Sequence, residues 1–362
     1  MRRYKNNLKN TLRNGITLSI IPQFLFVKWL ANHPEWVEEY YSKGIYPFIS
    51  QFFRSIFNSI PFSVGEIIYT LLIILGLRYL IWKRKKIIDQ PLAFVRDVFM
   101  VLSIFYFTFH LVWGLNYYRK PLSKTLAINE TISAAKIKKL TSELVTQTNR
   151  LHYKITSDST KMVQVPYSRN EIIAITIAGY KNLEAEIPLF DYPHPNIKKS
   201  MFSSLSSYMG IGGYLNPFTN EAQVNRKTPV FRFPVVTGHE VGHQIGYSAE
   251  NETNLIGYLV TAQNKDIYFQ YSASAYALSY CLNAVYAIDE KASEELYQKI
   301  NEGVKQNYQE LKDFNEAYEN PFEPIFESVF SMFLKANNQS DGIKSYSRVV
   351  NLLVGYHEKY PL

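Results

Sequence analysis

Three runs in the first third of the chain are almost continuously apolar. ITLSIIPQFLFVKWL (16–30) is interrupted by Pro22 and Lys28. FSVGEIIYTLLIILGLRYLIW (62–82) carries only Glu66 and Arg78, near opposite ends. The third, about 97–117, has the core VFMVLSIFYFTFHLVWGL and closes on Trp113, Tyr117 and Tyr118. About 20 apolar residues cross the hydrocarbon of a bilayer, so the pattern predicts three transmembrane helices with aromatic flanks at the interfaces. ANHPEW after the first run lacks the small-residue cleavage site of a signal peptide. Between the first two runs the spacing changes. Ile45, Phe48, Ile49, Phe52, Phe53, Ile56, Phe57 and Ile60 recur every three or four residues, with Ser50, Gln51, Arg54, Ser55 and Asn58 between them. That predicts an amphipathic helix over about 44–60. It either lies in the membrane interface or packs on the rest of the protein.

Beyond residue 120 the pattern is that of a mostly helical domain. Helices are predicted over 129–156, 170–187 and 234–245, then about 252–287, 291–317, 321–337 and 343–357. Pro188, Pro193 and Pro195 make 188–200 a loop. The Ser-, Gly- and Asn-rich stretch 201–228 reads as a small β-hairpin or edge strand. There Gly212 and Gly213 permit close backbone approach, and such a strand takes up an extended peptide as a further strand. Gly212, Gly213, Tyr214, Asn216 and Glu221 are the substrate-binding residues this suggests. The expected fold is mainly α: a membrane anchor at 1–120 and a helical domain at 121–362.

Charge sharpens this. Residues 1–125 hold 17 Lys/Arg against 6 Asp/Glu, and the remainder 22 against 25, so the net +8 comes from the first third. This excludes a nucleic-acid-binding surface on the rest. It also orients the spans: the basic N-terminus and Lys83-Arg84-Lys85-Lys86 belong on the cytoplasmic side. Three spans then place the large domain outside, across the membrane from the cytoplasm. Cys281 is the only cysteine, which excludes an intrachain disulfide and a Cys-rich metal site; it reads as a buried small hydrophobe. His110 and His194 read as a packed and a surface-loop histidine.

The chemistry lies in GHEVGHQIGYSAENETN (238–254). His239 and His243 stand four apart, on one helical face, and can reach one metal ion. Glu240 is about 100° further round, placed to flank a water molecule as general base. A catalytic zinc takes three protein ligands, and Glu250 and Glu252 are the nearby choices. Two residues apart on a helix is about 200°, so only one faces the ion. Glu252 shares its face with Leu255, Ile256 and Leu259, the face that turns inward; it is the predicted third ligand, with Glu250 a surface acid and Ser248 the N-cap. Asn251 and Asn254 are placed to hydrogen-bond the ligands. Tyr346, Arg348 and His357 in the last helix are donors for a developing oxyanion.

These segments together resemble a family of bacterial integral-membrane proteins classed as a domain of unknown function, whose members look like gluzincin-type zinc metallopeptidases. PFSVGEIIY, WGLNYYRKPL, GGYLNPFTNEAQVN, HEVGHQIGYSAENETNLIGYL and SYSRVVNLL carry the resemblance. It implies a zincin-like domain holding one Zn2+ through His239, His243 and Glu252, with Glu240 as catalytic base. Thr253 stands where alanine is more usual, which leaves ligation intact. The expected function is a membrane-anchored zinc peptidase acting on a peptide or protein substrate. Its rival is a non-enzymatic membrane-anchored binding or scaffold protein with a structural or lost metal site. An intramembrane protease is disfavoured because HExxH lies among polar loops, and a transporter needs more spans.

Overall fold

The computed structural model describes residues 2–342, 344 and 348–362. It is mainly helical with one three-stranded sheet. The N-terminal helices are α1 (Arg2–Leu18) and α2 (Ile20–Ala31). A π-helical stretch, Val37–Ile45, runs into α3 (Tyr46–Phe57). Then come α4 (Val64–Asp89) and α5 (Pro91–Val112). Among the described residues these two are the helices long and apolar enough to cross a membrane, and most of their surface is exposed. Ser63 caps α4 by accepting from the Glu66 N–H (3.0 Å). Pro91 opens α5, where a missing N–H does no harm. α4 and α5 form a hairpin.

The expected first span is corrected. The run 16–30 is divided at Ser19 between α1 and α2, although Ser19 keeps a helical φ of −64° and the bonds from its own N–H to the Gly15 carbonyl (3.0 Å) and from the Gln23 N–H to its carbonyl (3.1 Å) continue through it. Pro22 removes one helical donor. Neither α1, with 17 residues and a basic, polar sequence, nor α2, with 12, is by itself long and apolar enough to cross. Instead α1 and α2 lie along α5. Arg13 pairs with Asp97 (3.4 Å) and the Thr17 hydroxyl donates to the Arg96 carbonyl (3.1 Å). The third predicted span also ends early, at Val112, because Gly114–Tyr118 turns as a 3-10 helix.

Besides the short helices Leu122–Leu126 and Ser203–Tyr208, the longer ones that follow are α6 (Ala134–Thr156), α7 (Arg169–Glu186), α8 (Phe233–Gln244), α9 (Glu250–Ala262) and α10 (Ile267–Ile288). They continue with α11 (Glu290–Gln298), α12 (Glu302–Glu316), α13 (Glu323–Ala336) and α14 (Val349–Lys359). α7 begins with a reciprocal box between Ser168 and Glu171. The long helix expected over 252–287 is two, because Asp266 accepts from the Tyr268 and Phe269 N–H groups and starts α10 anew. Likewise 291–317 divides into α11 and α12. Around α6, α9 and α10 lies the main apolar core, with Leu144, Tyr258, Leu278 and Cys281 fully buried.

The expected hairpin is present: β2 (Gly213–Asn216) runs antiparallel to β3 (Glu221–Val224), with Gly213 opposite Val224 and Asn216 opposite Glu221. β1 (Ile197–Lys199), a segment expected as loop, adds to the other side of β3 in parallel. The order β1-β3-β2 leaves β2 at an edge.

Candidate metal centre

Pro234 opens α8 and brings His239, Glu240 and His243 round within the next three turns. All three are buried, and their ligand atoms lie within 4.8 Å of one another. α9 crosses α8 at unusually close range because both helices carry glycine there. A Cβ on Gly257 would stand 2.7 Å from the Val235 carbonyl oxygen and 2.9 Å from the His239 nitrogen. The Tyr180 hydroxyl donates to the Gly238 carbonyl (2.7 Å) and fixes the crossing from behind.

The crossing brings Glu250, in the first turn of α9, to the histidines. Its Oε2 lies 3.3 Å from His239 Nε2 and 3.5 Å from His243 Nε2. Each imidazole is oriented through its other nitrogen, which faces an acceptor. His239 Nδ1 is 2.8 Å from Asn254 Oδ1 and His243 Nδ1 is 2.8 Å from the Tyr247 carbonyl oxygen. With the proton on Nδ1, the Nε2 lone pairs converge beside the Glu250 carboxylate.

Glu252, the expected ligand, is placed elsewhere. Its carboxylate accepts from the Leu122 N–H (2.7 Å) and lies near Arg119. The choice by helix face fails because α9 is buried nearly all round, Glu250 and Glu252 alike, so no single inward face exists. Ser248 is not the N-cap either; Ala249 occupies that position. Asn254 does hold His239, whereas Asn251 is half-buried in the first turn of α9.

The donor set fits a metal ion. Two imidazole nitrogens and one carboxylate oxygen converge, and beside them Glu240 Oε2 is buried with no hydrogen-bond partner. A buried carboxylate without a donor is costly, and a cation supplies what it lacks. Charges respond accordingly. Burial pushes Glu240 up to about 7, the nearby histidines opposing it. Burial lowers His243, but the Glu250 carboxylate outweighs this and brings it to about 9. Burial raises Glu250, and His243 and His239 more than reverse this, holding it well below the carboxylate range. Burial pushes Glu252 up to about 7.

The edge strand reaches the same place. A Cβ on Gly213 would stand 2.6 Å from Glu240 Oε1, so only glycine lets β2 pass the carboxylate at this range. Gly212 lies beside Val236. The other expected substrate residues serve α4 and the turn. Glu221 accepts from the Val64 and Gly65 N–H groups (3.0 and 2.7 Å) and the Thr219 hydroxyl (2.8 Å). Tyr214 donates to Glu66 (3.0 Å), and Asn216 accepts from the Phe218 and Thr219 N–H groups.

Sequence reasoning missed the residues that hold the end of α8. Trp113 Nε1 donates to the His243 carbonyl (3.1 Å), the Tyr46 hydroxyl to the Gln244 carbonyl (2.8 Å) and Arg119 to the Gly246 carbonyl (2.8 Å). Gly246, at φ +96°, ends the helix against the Tyr46 ring. From sequence Trp113 reads as a membrane-belt residue and Tyr46 carries no assignment, and nothing local to them signals a partner some 130 or 198 residues away. Among the oxyanion donors, Tyr346 lies outside the described residues. Arg348 is exposed and ion-pairs with Asp341. His357 contacts the Tyr258 hydroxyl and the Tyr360 carbonyl on α14's packed side.

No curated protein and no solved structure matches the chain. A family model described as "Protein of unknown function (DUF3810)" matches residues 41–354, which spans both apolar helices, the sheet and the metal centre. The chain therefore belongs to that family.

Proposed function

We infer that this protein is a membrane-associated zinc metallopeptidase of the gluzincin type, with His239, His243 and Glu250 as the ligand set. The observation that carries the reading is the convergence of both Nε2 atoms on the Glu250 carboxylate, with Glu240 buried and unpaired beside an edge strand. The zincin-like reading of the domain rests on the same arrangement. Zinc suits two imidazoles and a carboxylate with one position open, and when bound it supplies Lewis acidity toward a carbonyl and a water. Glu240 takes the proton of the attacking water and delivers it to the leaving amine. Burial holds its pKa near neutrality, where a carboxylate both accepts and returns a proton. Gly212 and Gly213 lay the edge of β2 open beside Glu240 for an extended peptide.

The hairpin supports an extracytoplasmic site. The α4 start and α5 end meet the domain through Glu221 and Trp113. Lys83–Lys86 belongs to the last turns of α4, at the other end. Basic residues favour the cytoplasmic side, so the domain lies opposite, whatever residues 16–30 do.

The test is Glu240→Gln in the full chain. It keeps bound metal and loses peptide cleavage by about 10²-fold or more. Retained cleavage removes the role. Metal bound by the wild type without cleavage of any peptide favours the binding or scaffold reading.

A further inference from the structure

The helix predicted as amphipathic is inside out. Along Val37–Ile45 and α3, a row of polar side chains spaced four apart faces the protein and is buried, Glu38, Ser42, Tyr46, Ser50 and Arg54, with Val37 and Tyr41 buried beside its first turns. Their partners are Arg119 for Glu38, Asn116 for Ser42, the Gln244 carbonyl for Tyr46 and the Tyr192 ring for Arg54. The opposite face is apolar and open. Phe48 is 76% exposed, Phe52 61%, Ile45 53% and Ile56 45%. A helix of a water-soluble surface turns its apolar face inward, so this one is built for a surrounding that is not water.

Two further observations say what covers it. A second helix, α13, also exposes an apolar row, Ile325, Val329 and Met332, with Phe322 just before it. Phe333 of the same helix packs on Phe109 and Tyr117, at the end of α5. α5 itself is an exposed apolar helix of membrane-crossing length. The apolar surfaces are thus continuous with the candidate spans. The Lys198 ammonium, by contrast, binds the Phe57, Asn58 and Ile60 carbonyls at the end of α3.

We propose that α3 and α13 lie in the interface of the bilayer crossed by α4 and α5, with Phe48, Phe52 and Val329 in lipid, and that the metal centre is thereby seated at the membrane surface. The Tyr46 hydroxyl and the ring contact with Gly246 put the end of the HExxH helix one helix thickness, about 10 Å, from lipid. Given the peptidase reading, on which this corollary rests, the substrate class is the juxtamembrane segment of membrane-inserted or lipid-anchored polypeptides.

The test uses the full chain in lipid vesicles, with Cys281→Ser removing the only cysteine. Nitroxide is attached after Phe48→Cys, Phe52→Cys or Val329→Cys, with Leu72→Cys in α4 as lipid reference and Lys139→Cys on α6 as water reference. The labels at 48, 52 and 329 are relaxed by oxygen and shielded from a water-soluble nickel chelate, as at 72; behaviour like that at 139 overturns the seating. In a second arm one peptide is offered free or N-terminally palmitoylated in the same vesicles. The anchored form is cleaved at least tenfold faster, and Phe48→Ser with Phe52→Ser lowers that ratio; equal rates overturn the substrate class. Cleavage of neither form counts against the peptidase reading alone, and the labels still decide the seating.

Discussion

Glu250 and Glu252 stand two residues apart and have opposite surroundings. Glu250 meets two imidazoles, whereas Glu252 meets a backbone N–H near Arg119. Metal analysis of the purified protein therefore separates them: Glu250→Ala empties the site, and Glu252→Ala keeps metal while lowering stability. Loss of metal only from the Glu252 variant reverses the assignment. Asn254→Ala leaves His239 Nδ1 without its acceptor, which weakens metal affinity by about 10- to 100-fold, measurable by chelator competition. Gly213→Ala drives a methyl into Glu240 and the Gln223 carbonyl oxygen, each at 2.6 Å. It lowers cleavage with metal content retained, and undiminished activity excludes the close passage of β2. At this scale the clustering of His239, Glu240 and His243 is legible in the sequence, because a helix puts residues four apart on one face whatever surrounds it. The third ligand is not, because its position depends on how α9 crosses α8.

Elements differ in how far their own residues decide them. The helix at 46–57 is written in its three- and four-residue spacing, but its orientation is not. Periodicity reports two faces, and the usual inference sends the apolar one inward; here Tyr46 faces inward onto the Gln244 carbonyl and Arg54 onto the Tyr192 ring. The start of α4 depends likewise on a distant group. Glu221 of β3 accepts from two N–H groups of its first turn, at the end where the helix dipole favours an anion. Glu221→Ala leaves these donors buried and unpaired, destabilising the protein by about 1–3 kcal/mol, read as a lower unfolding temperature in detergent. An unchanged melt means water replaces the carboxylate there.

At the scale of the whole molecule, the membrane-proximal segments and the helical domain are joined by a buried ion pair. Arg119 binds Glu38 through two nitrogens at 2.9 Å, donates to the Gly246 carbonyl and stacks on Tyr247. Burial raises the Glu38 pKa, but Arg119 and Lys43 outweigh it and hold it below 4.5. A depressed carboxylate contributes stability that is whole above its unfolded value and lost as pH falls through the folded one. The unfolding temperature of the wild type therefore drops as pH falls below 4.5, the unfolded value. Glu38→Gln is less stable at neutral pH and shows a shallower drop; parallel curves exclude the pair as a pH-sensitive clamp. The hairpin adds a topological expectation. A membrane-impermeant amine reagent added outside intact cells labels Lys139 of the domain and spares Lys83–Lys86.

Helix content, the two apolar spans, the hairpin and the HExxH motif follow from residues near one another in the chain. Periodicity, capping and apolar length act over a few turns. The carboxylate that reaches the two histidines, the outward apolar face of α3 and the bracing of α8 by Tyr46, Trp113 and Arg119 arise between segments up to 198 residues apart. They depend on which buried polar group finds which partner. A buried donor or acceptor must be satisfied by whatever the fold brings to it, and local spacing carries no record of that encounter.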